Sequence, residues 1–402
     1  MKQPLIGGWG VNPLNFDETR YTLLQGGDNY TNVKESVYEC IPTGGKISRL
    51  FVNLNAAIAA GSTVTFTLMV NGIAQALTCT IAAGTSSAYD IDHSVDVVAG
   101  DLVCLRYTFT GTPGTVYARW ATQFEGTNAG ESILLWCGTL DSGATVFGGW
   151  CGTRSRDIAG QMFPPVPTNG TFKKMYASLS ADPGASPDAY KFDLLIDAIA
   201  GNNTFSIVAN NTTGNSGAAT DVVTAGQKIT LSVTPVSTPS VSPYCAMGIV
   251  FVSSIDGESI HFLNDTDSPS TSVEQYDMLL GLDTYWGSTE SNKARMSLLT
   301  CVIKKLYVKM QTSPGAGKKY TVSINKNDGS ASGLTVEVAD TNTSGNDTIH
   351  SYIPVDGDTA TFKCVPSGTP TVTRIGCGFV AYNPTSVYAP MPSVIPGMAL
   401  MN

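Results

Sequence analysis

Apolar and polar residues alternate with a period of two in short runs along the whole chain. Examples are Val64-Thr-Phe66-Thr-Leu68, Tyr320-Thr-Val322-Ser-Ile324 and Leu334-Thr-Val336-Glu-Val338. Successive side chains of a strand point to opposite faces, so this period predicts strands with one face in a core and one outside it. Gly, Pro and Asn turn signals separate the runs, which predicts short antiparallel strands. One stretch departs from the pattern: Ser272-Val-Glu-Gln-Tyr-Asp-Met-Leu-Leu280 predicts a helical turn or two.

The alternating runs recur in three sets. The first starts at Pro42-Thr-Gly-Gly-Lys-Ile-Ser-Arg-Leu50, the second at Pro167-Thr-Asn-Gly-Thr-Phe-Lys-Lys-Met175, and the third at Ile303-Lys-Lys-Leu306. Leu50, Met175 and Leu306 are spaced 125 and 131 residues apart. Each set goes on to a small-residue turn (Ala59-Ala60-Gly61, Asp182-Pro183-Gly184, Ser313-Pro314-Gly315) and two alternating strands. A valine-and-turn entry follows, at Val97, Val222 and Val355, then a Thr-Pro turn at Thr112-Pro113, Thr238-Pro239 and Thr369-Pro370. A closing strand ends each set at Trp120, Phe251 and Tyr382. The chain therefore reads as all-β, with three tandem antiparallel β-sandwich domains of Greek-key or jelly-roll-like connectivity. A copy of this length can bury its own core.

The sandwiches are expected over 38–126, 166–254 and 299–383. An N-terminal arm or connector covers 1–37, and connectors cover 127–165 and 255–298. Both inner connectors are long for plain linkers and are expected to add strands or a short helix. Leu5-Ile-Gly-Gly-Trp9-Gly10 echoes Phe147-Gly-Gly-Trp150-Cys-Gly152, and Trp286 sits at a comparable place. These tryptophans are candidate plugs between successive domains. The last stretch, 384–402, has no charged side chain and several prolines, so it reads as an extended arm lying on another surface. Its candidate contact residues are Tyr388, Met391, Ile395 and Met398.

Composition narrows the classes of function. Charged residues make up 14% of the chain, against about 25% in ordinary soluble proteins, so much of the surface is expected to be covered. The formal net charge is −9, which argues against a nucleic-acid partner. The pairs Lys173-Lys174, Lys304-Lys305 and Lys318-Lys319 are too short to be phosphate-binding patches and read as solvent-facing strand ends. No apolar leader follows Met1 and no run reaches membrane-spanning length, so neither a signal peptide nor a membrane partner is expected. Nine cysteines without a C-x-x-C pair read as buried free thiols, with Cys137 and Cys151 the pair to examine first for a bridge.

Candidate chemistry is sparse. Asp90-Ile-Asp92-His93-Ser94 carries the residue types of a hydrolytic triad or metal loop but reads as a solvated turn, because neither a nucleophile elbow nor a matched cluster accompanies it. Asn264-Asp265-Thr266-Asp267 lacks the glycine and closing glutamate of a calcium loop. No phosphate loop or dinucleotide fingerprint is present. Trp120, Trp136, Tyr117 and Tyr244 could stack on sugars, but core packing is the expectation. No cofactor and no enzymatic activity are expected.

The repeat resembles a module of tailed-bacteriophage virion proteins. The likeness is carried by Lys46-Ile-Ser-Arg-Leu50-Phe51-Val52, Val70-Asn71-Gly72, Ala99-Gly100-Asp101 and Gly111-Thr112-Pro113. The third copy keeps Ser313-Pro314-Gly315-Ala-Gly317 and Ser367-Gly-Thr-Pro370, whereas the second lacks the Asn-Gly and Gly-Asp turns. It covers about residues 38 to 383. The resemblance implies a virion component of the capsid-decoration, head-fibre or tail-fibre kind, contacting other virion proteins and forming homo-oligomers, and it names no active site. A module that binds host-surface glycans is the alternative expectation, and a sandwich hydrolase the third.

Overall fold

A computed structural model of the 402-residue chain describes residues 1–8, 13–27, 30–152, 155–156, 164–264, 267–282, 286–290, 296–327 and 329–383. Apart from one 3-10 turn (Lys34–Ser36), every regular element among the described residues is a strand. The first unit contains β1 (Lys2–Gly8), β2 (Arg20–Thr22), β3 (Glu39–Cys40), β4 (Gly45–Leu54), β5 (Thr63–Val70), β6 (Ile73–Ile81), β7 (Ser87–Val97), β8 (Leu102–Thr110) and β9 (Ala118–Gly126). The second contains β10 (Glu131–Thr139), β11 (Val146–Gly148), β12 (Ser155–Arg156), β13 (Gly170–Leu179), β14 (Ala189–Ile196), β15 (Ile199–Val208), β16 (Thr213–Asn215), β17 (Thr220–Val223), β18 (Ile229–Val236) and β19 (Tyr244–Ser253). The third contains β20 (Glu258–Asn264), β21 (Gln275–Asp277), β22 (Gly281–Leu282), β23 (Met296–Ser297), β24 (Val302–Met310), β25 (Gly315–Lys326), β26 (Ser330–Asp340), β27 (Ser344–Tyr352), β28 (Thr359–Ser367) and β29 (Ile375–Tyr382).

Strand order is the same in all three units. In the first, one sheet runs β1-β9-β4-β7 and the other β2-β8-β5-β6. The second has β10-β19-β13 with β16 and β17 outside it, facing β11-β18-β14-β15. The third has β20-β29-β24-β27 facing β21-β28-β25-β26. In each, the first long strand pairs with the last and the central hairpin pairs with itself, as when one long antiparallel ribbon is rolled up. That is the eight-stranded jelly roll. Both outer strands of every roll come from the stretch before the repeat: β1 and β2 from 1–37, β10 and β11 from 127–165, and β20 and β21 from 255–298.

Local turn chemistry explains the recurrence. The central hairpin of the first roll turns through Asn71 and Gly72 at φ 51° and 78°, the left-handed pair that a two-residue hairpin requires. The second roll makes the same turn with Asp197 and Ala198 at φ 49° and 70°, so its missing Asn-Gly costs strain without changing the fold. The turn residue ties down the neighbouring turn in every copy: Asn71 to Asp101 and Leu102, Asp197 to Gln227 and Lys228, Asn327 to Asp358 and Thr359.

Two expectations fail here. The 272–280 stretch is not helical: Gln275–Asp277 pairs with β28, and Met278, Leu279 and Leu280 are buried among the rolls, which satisfies this apolar run without a helix. The glycine-tryptophan echo is not structural either. Leu5–Gly8 belongs to β1 and pairs with β9, whereas Val146–Gly148 pairs with β18 in the opposite sheet.

Candidate functional interface

The three rolls close on one another head to tail. Each carries an irregularity at the same point of its second long strand (β4, β13 or β24), where the register shifts beside Arg49, Lys174 and Lys305. These residues sit at φ 59°, 51° and 54°, a left-handed conformation uncommon for side-chain-bearing residues. A bulge suspends the alternation of a strand. Two consecutive lysines can therefore reach one acid, which a regular strand would forbid.

At the seam between the first and second rolls, that acid is Glu131, buried at the start of β10. Lys174 Nζ lies 2.7 Å and Lys173 Nζ 3.0 Å from Glu131 Oε1. Thr43 of the first roll donates to Glu131 Oε2 at 2.6 Å and accepts from Lys174. The seam between the second and third rolls repeats this group. Lys305 and Lys304 lie 2.7 and 3.0 Å from Glu258 Oε1, and Thr168 of the second roll donates to Glu258 Oε2 at 2.7 Å. Lys173-Lys174 and Lys304-Lys305 are thus not solvent-facing strand ends, because a buried carboxylate draws them inward, whereas Lys319 pairs with the exposed Glu337. Burial pushes the Glu131 carboxyl up, but hydrogen bonds from Lys174, Thr43 and Lys173 outweigh it and hold it at about 2. Glu258 is lowered by the same balance.

The third seam closes the ring with different atoms. Lys2 occupies the register position of Glu131 and Glu258. An acid therefore comes from across the seam: Arg49 of the first roll pairs with Asp356 of the third, whose other oxygen accepts from Thr300. Asn53 donates to the Gly357 carbonyl at 2.9 Å. The cyclic order also holds for backbone packing, with β10 on β9, β20 on β19 and β1 on β29. Gly248 and Gly378 occupy equivalent positions in β19 and β29. A Cβ on Gly248 would meet the Cys40 carbonyl oxygen at 2.1 Å, and one on Gly378 would meet that of Pro165 at 2.1 Å. Head-to-tail contacts that close after three steps make a ring, here within one chain and about a pseudo-threefold axis.

Where the rolls meet near that axis, a segment after the second strand lies parallel to the first: Gly7 bridges Gly26, Trp136 bridges Gly152, and Leu263 pairs with Gly281. Gly26 lies against the Cys151 carbonyl and Gly27 against the Met278 thioether, so all three copies meet there. Gln3 uses both ends of its amide on the Ile133 backbone, and Leu135 N donates to Gln25 Oε1. Glu39 is buried and accepts from Leu24 N and Gln25 N. Burial raises its carboxyl to about 8, and the backbone donors offset this only in part. The cores are continuous: Ile133, Leu135 and Val250 join the first roll's core, and Ile6 and Ala121 join that of the other two.

Of the residues singled out from sequence, Trp150 and Trp286 are buried in the shared core of the second and third rolls. Trp9, Tyr388, Met391, Ile395 and Met398 lie outside the described residues, as does the whole 384–402 arm. Trp120 and Trp136 are fully buried core residues and offer no sugar platform. All nine cysteines are buried thiols, Cys137 and Cys151 included. His93 Nδ1 bonds the buried Asp90 at 3.0 Å, and His350 repeats this with Asp347. Each aspartate also accepts backbone N–H groups from the neighbouring strand and from its own strand, β7 or β27, so Asp90–Ser94 is not the solvated turn expected but part of a strand, and the pair pins a sheet edge. Among the described residues no group of three or more metal-ligating side chains converges, and no helix is long and apolar enough to cross a membrane. The clamp role of these residues was missed from sequence; its signal was the Pro-Thr turn at Thr43 and Thr168, followed by a Glu 88 and 90 residues later. The chain matches no family model and no curated protein.

Proposed function

We propose that the chain is a structural component of a bacteriophage virion, a capsid-decoration or fibre protein that works through protein–protein contacts. The observation that carries this reading is the ring: three jelly rolls closed into one threefold-like block, two seams locked by clamps on a buried glutamate and the third by the Arg49–Asp356 pair. Jelly rolls recur in viral capsid proteins, and a closed block of three rolls with one strand order suits a repetitive lattice. The turn motifs shared with phage virion modules support the same reading. Its partners are other virion proteins, its place is the particle, and any homo-oligomer is built from whole rings. Quantitative mass spectrometry of washed, density-purified particles tests it. The proposal requires a fixed copy number that survives high salt; absence from such particles overturns it.

A further inference from the structure

The seams are alike in backbone but not in what covers their aromatic residue. Phe51, Tyr176 and Tyr307 follow the bulge at equivalent positions, opposite Tyr89, Asn215 and Asn346. In the first roll the Tyr89 ring stacks on Phe51, with centroids 5.4 Å apart and planes 22° apart. The third roll has Asn346 in place of that covering ring. A cleft of about 320 Å³ opens there between the second and third rolls, bounded by Tyr307, Lys309, Ser344 and Asn346 on one side and Pro165 and Gly226 on the other. At the closing seam, Asn53 spans the equivalent gap to the Gly357 carbonyl. Its counterpart Lys309 instead donates to Thr343 of its own roll at 2.8 Å.

We propose that this cleft binds a pyranose unit of a glycan. Tyr307 is half-buried and lines the cleft, and its ring is of the size that a sugar's C–H face covers. Around it stand groups suited to hydroxyls: the Asn346 amide, which both donates and accepts, the Ser344 and Tyr307 hydroxyls, and two ammonium protons of Lys309. The volume falls at the small end of ligand sites, which fits one sugar ring rather than a long chain. On the far wall an added Cβ at Gly226 would meet nothing within 4 Å, so that side of the cleft is open. The inference rests on the cleft alone and is independent of the virion reading.

The full chain is screened on a broad array of bacterial and eukaryotic glycans, and hits are measured by titration calorimetry. Asn346→Tyr supplies the covering ring that the first roll already accommodates at Tyr89, so it is expected to abolish binding with an unchanged melting temperature. Tyr307→Ala is expected to weaken binding roughly tenfold, the loss of about one aromatic contact. No saccharide bound by the wild type, or wild-type affinity in Asn346→Tyr, overturns the proposal.

Discussion

Gly378→Ala tests whether the rolls are held in fixed contact. The glycine lies in β29, where an added Cβ would sit 2.1 Å from the Pro165 carbonyl oxygen and 3.2 Å from Pro167 Cδ. Neither is the movable end of a flexible side chain, so the Pro165 backbone must retreat by about 1 Å to restore ordinary contact. Overpacking of this kind costs about 1–3 kcal/mol. Alanine is otherwise better than glycine in a strand by about 0.5–1 kcal/mol, so an unconfined site would be stabilised. The substitution is expected to lower the melting temperature of the 402-residue block by about 1–4 °C and to speed amide exchange around Pro165 and β29. Ala121 holds the equivalent place in β9, at the seam where it faces β23, so Ala121→Gly should cost only about 0.5–1 kcal/mol. Urea unfolding followed by tryptophan fluorescence measures both. A Gly378→Ala variant as stable as the wild type would refute the close approach.

The clamps and buried groups give further tests. The Glu131 carboxyl is held at about 2 against a usual 4.5, so its contribution is complete above about pH 4.5 and is lost as pH falls towards 2; Glu131→Gln should flatten that part of the stability profile. Glu39 has the opposite sign: its carboxyl, raised to about 8, makes the fold less stable as pH rises from about 4.5 to 8. Denaturation at pH 5, 7 and 9 should show this decline in the wild type and not in Glu39→Gln. Breaking the third seam with Asp356→Ala removes the partner of Arg49 and an acceptor for Thr300. The pair is partly exposed, so a loss of about 1 kcal/mol is expected, with faster exchange in β23 and unchanged exchange in β13. Finally, none of the nine buried thiols should react with a maleimide until the protein is unfolded; rapid labelling of native protein would contradict their burial.

The alternating runs made the inner strands of each roll legible, because their burial pattern is written residue by residue, as in Ile73–Ile81 and Ser330–Asp340. The outer strands were harder. β2, β11 and β21 are three residues each, too short to show a period. The seams were hidden for a different reason. Lys173 and Lys174 look like a solvated strand end when alternation is assumed, and only a left-handed bulge turns both onto Glu131. Gly248 and Gly378 look like weak strand residues until the neighbouring roll's carbonyl is seen against them. Contacts between distant segments set these features, and the local pattern does not encode them.

Small-angle X-ray scattering of the monomer tests the closed ring most directly. A compact body of 402 residues has a radius of gyration of about 21 Å, whereas three rolls strung in a line come to roughly 30 Å or more by the same scaling. The ring predicts the smaller value with a single compact distance distribution. A value near the larger one, with a long tail of distances, would contradict it.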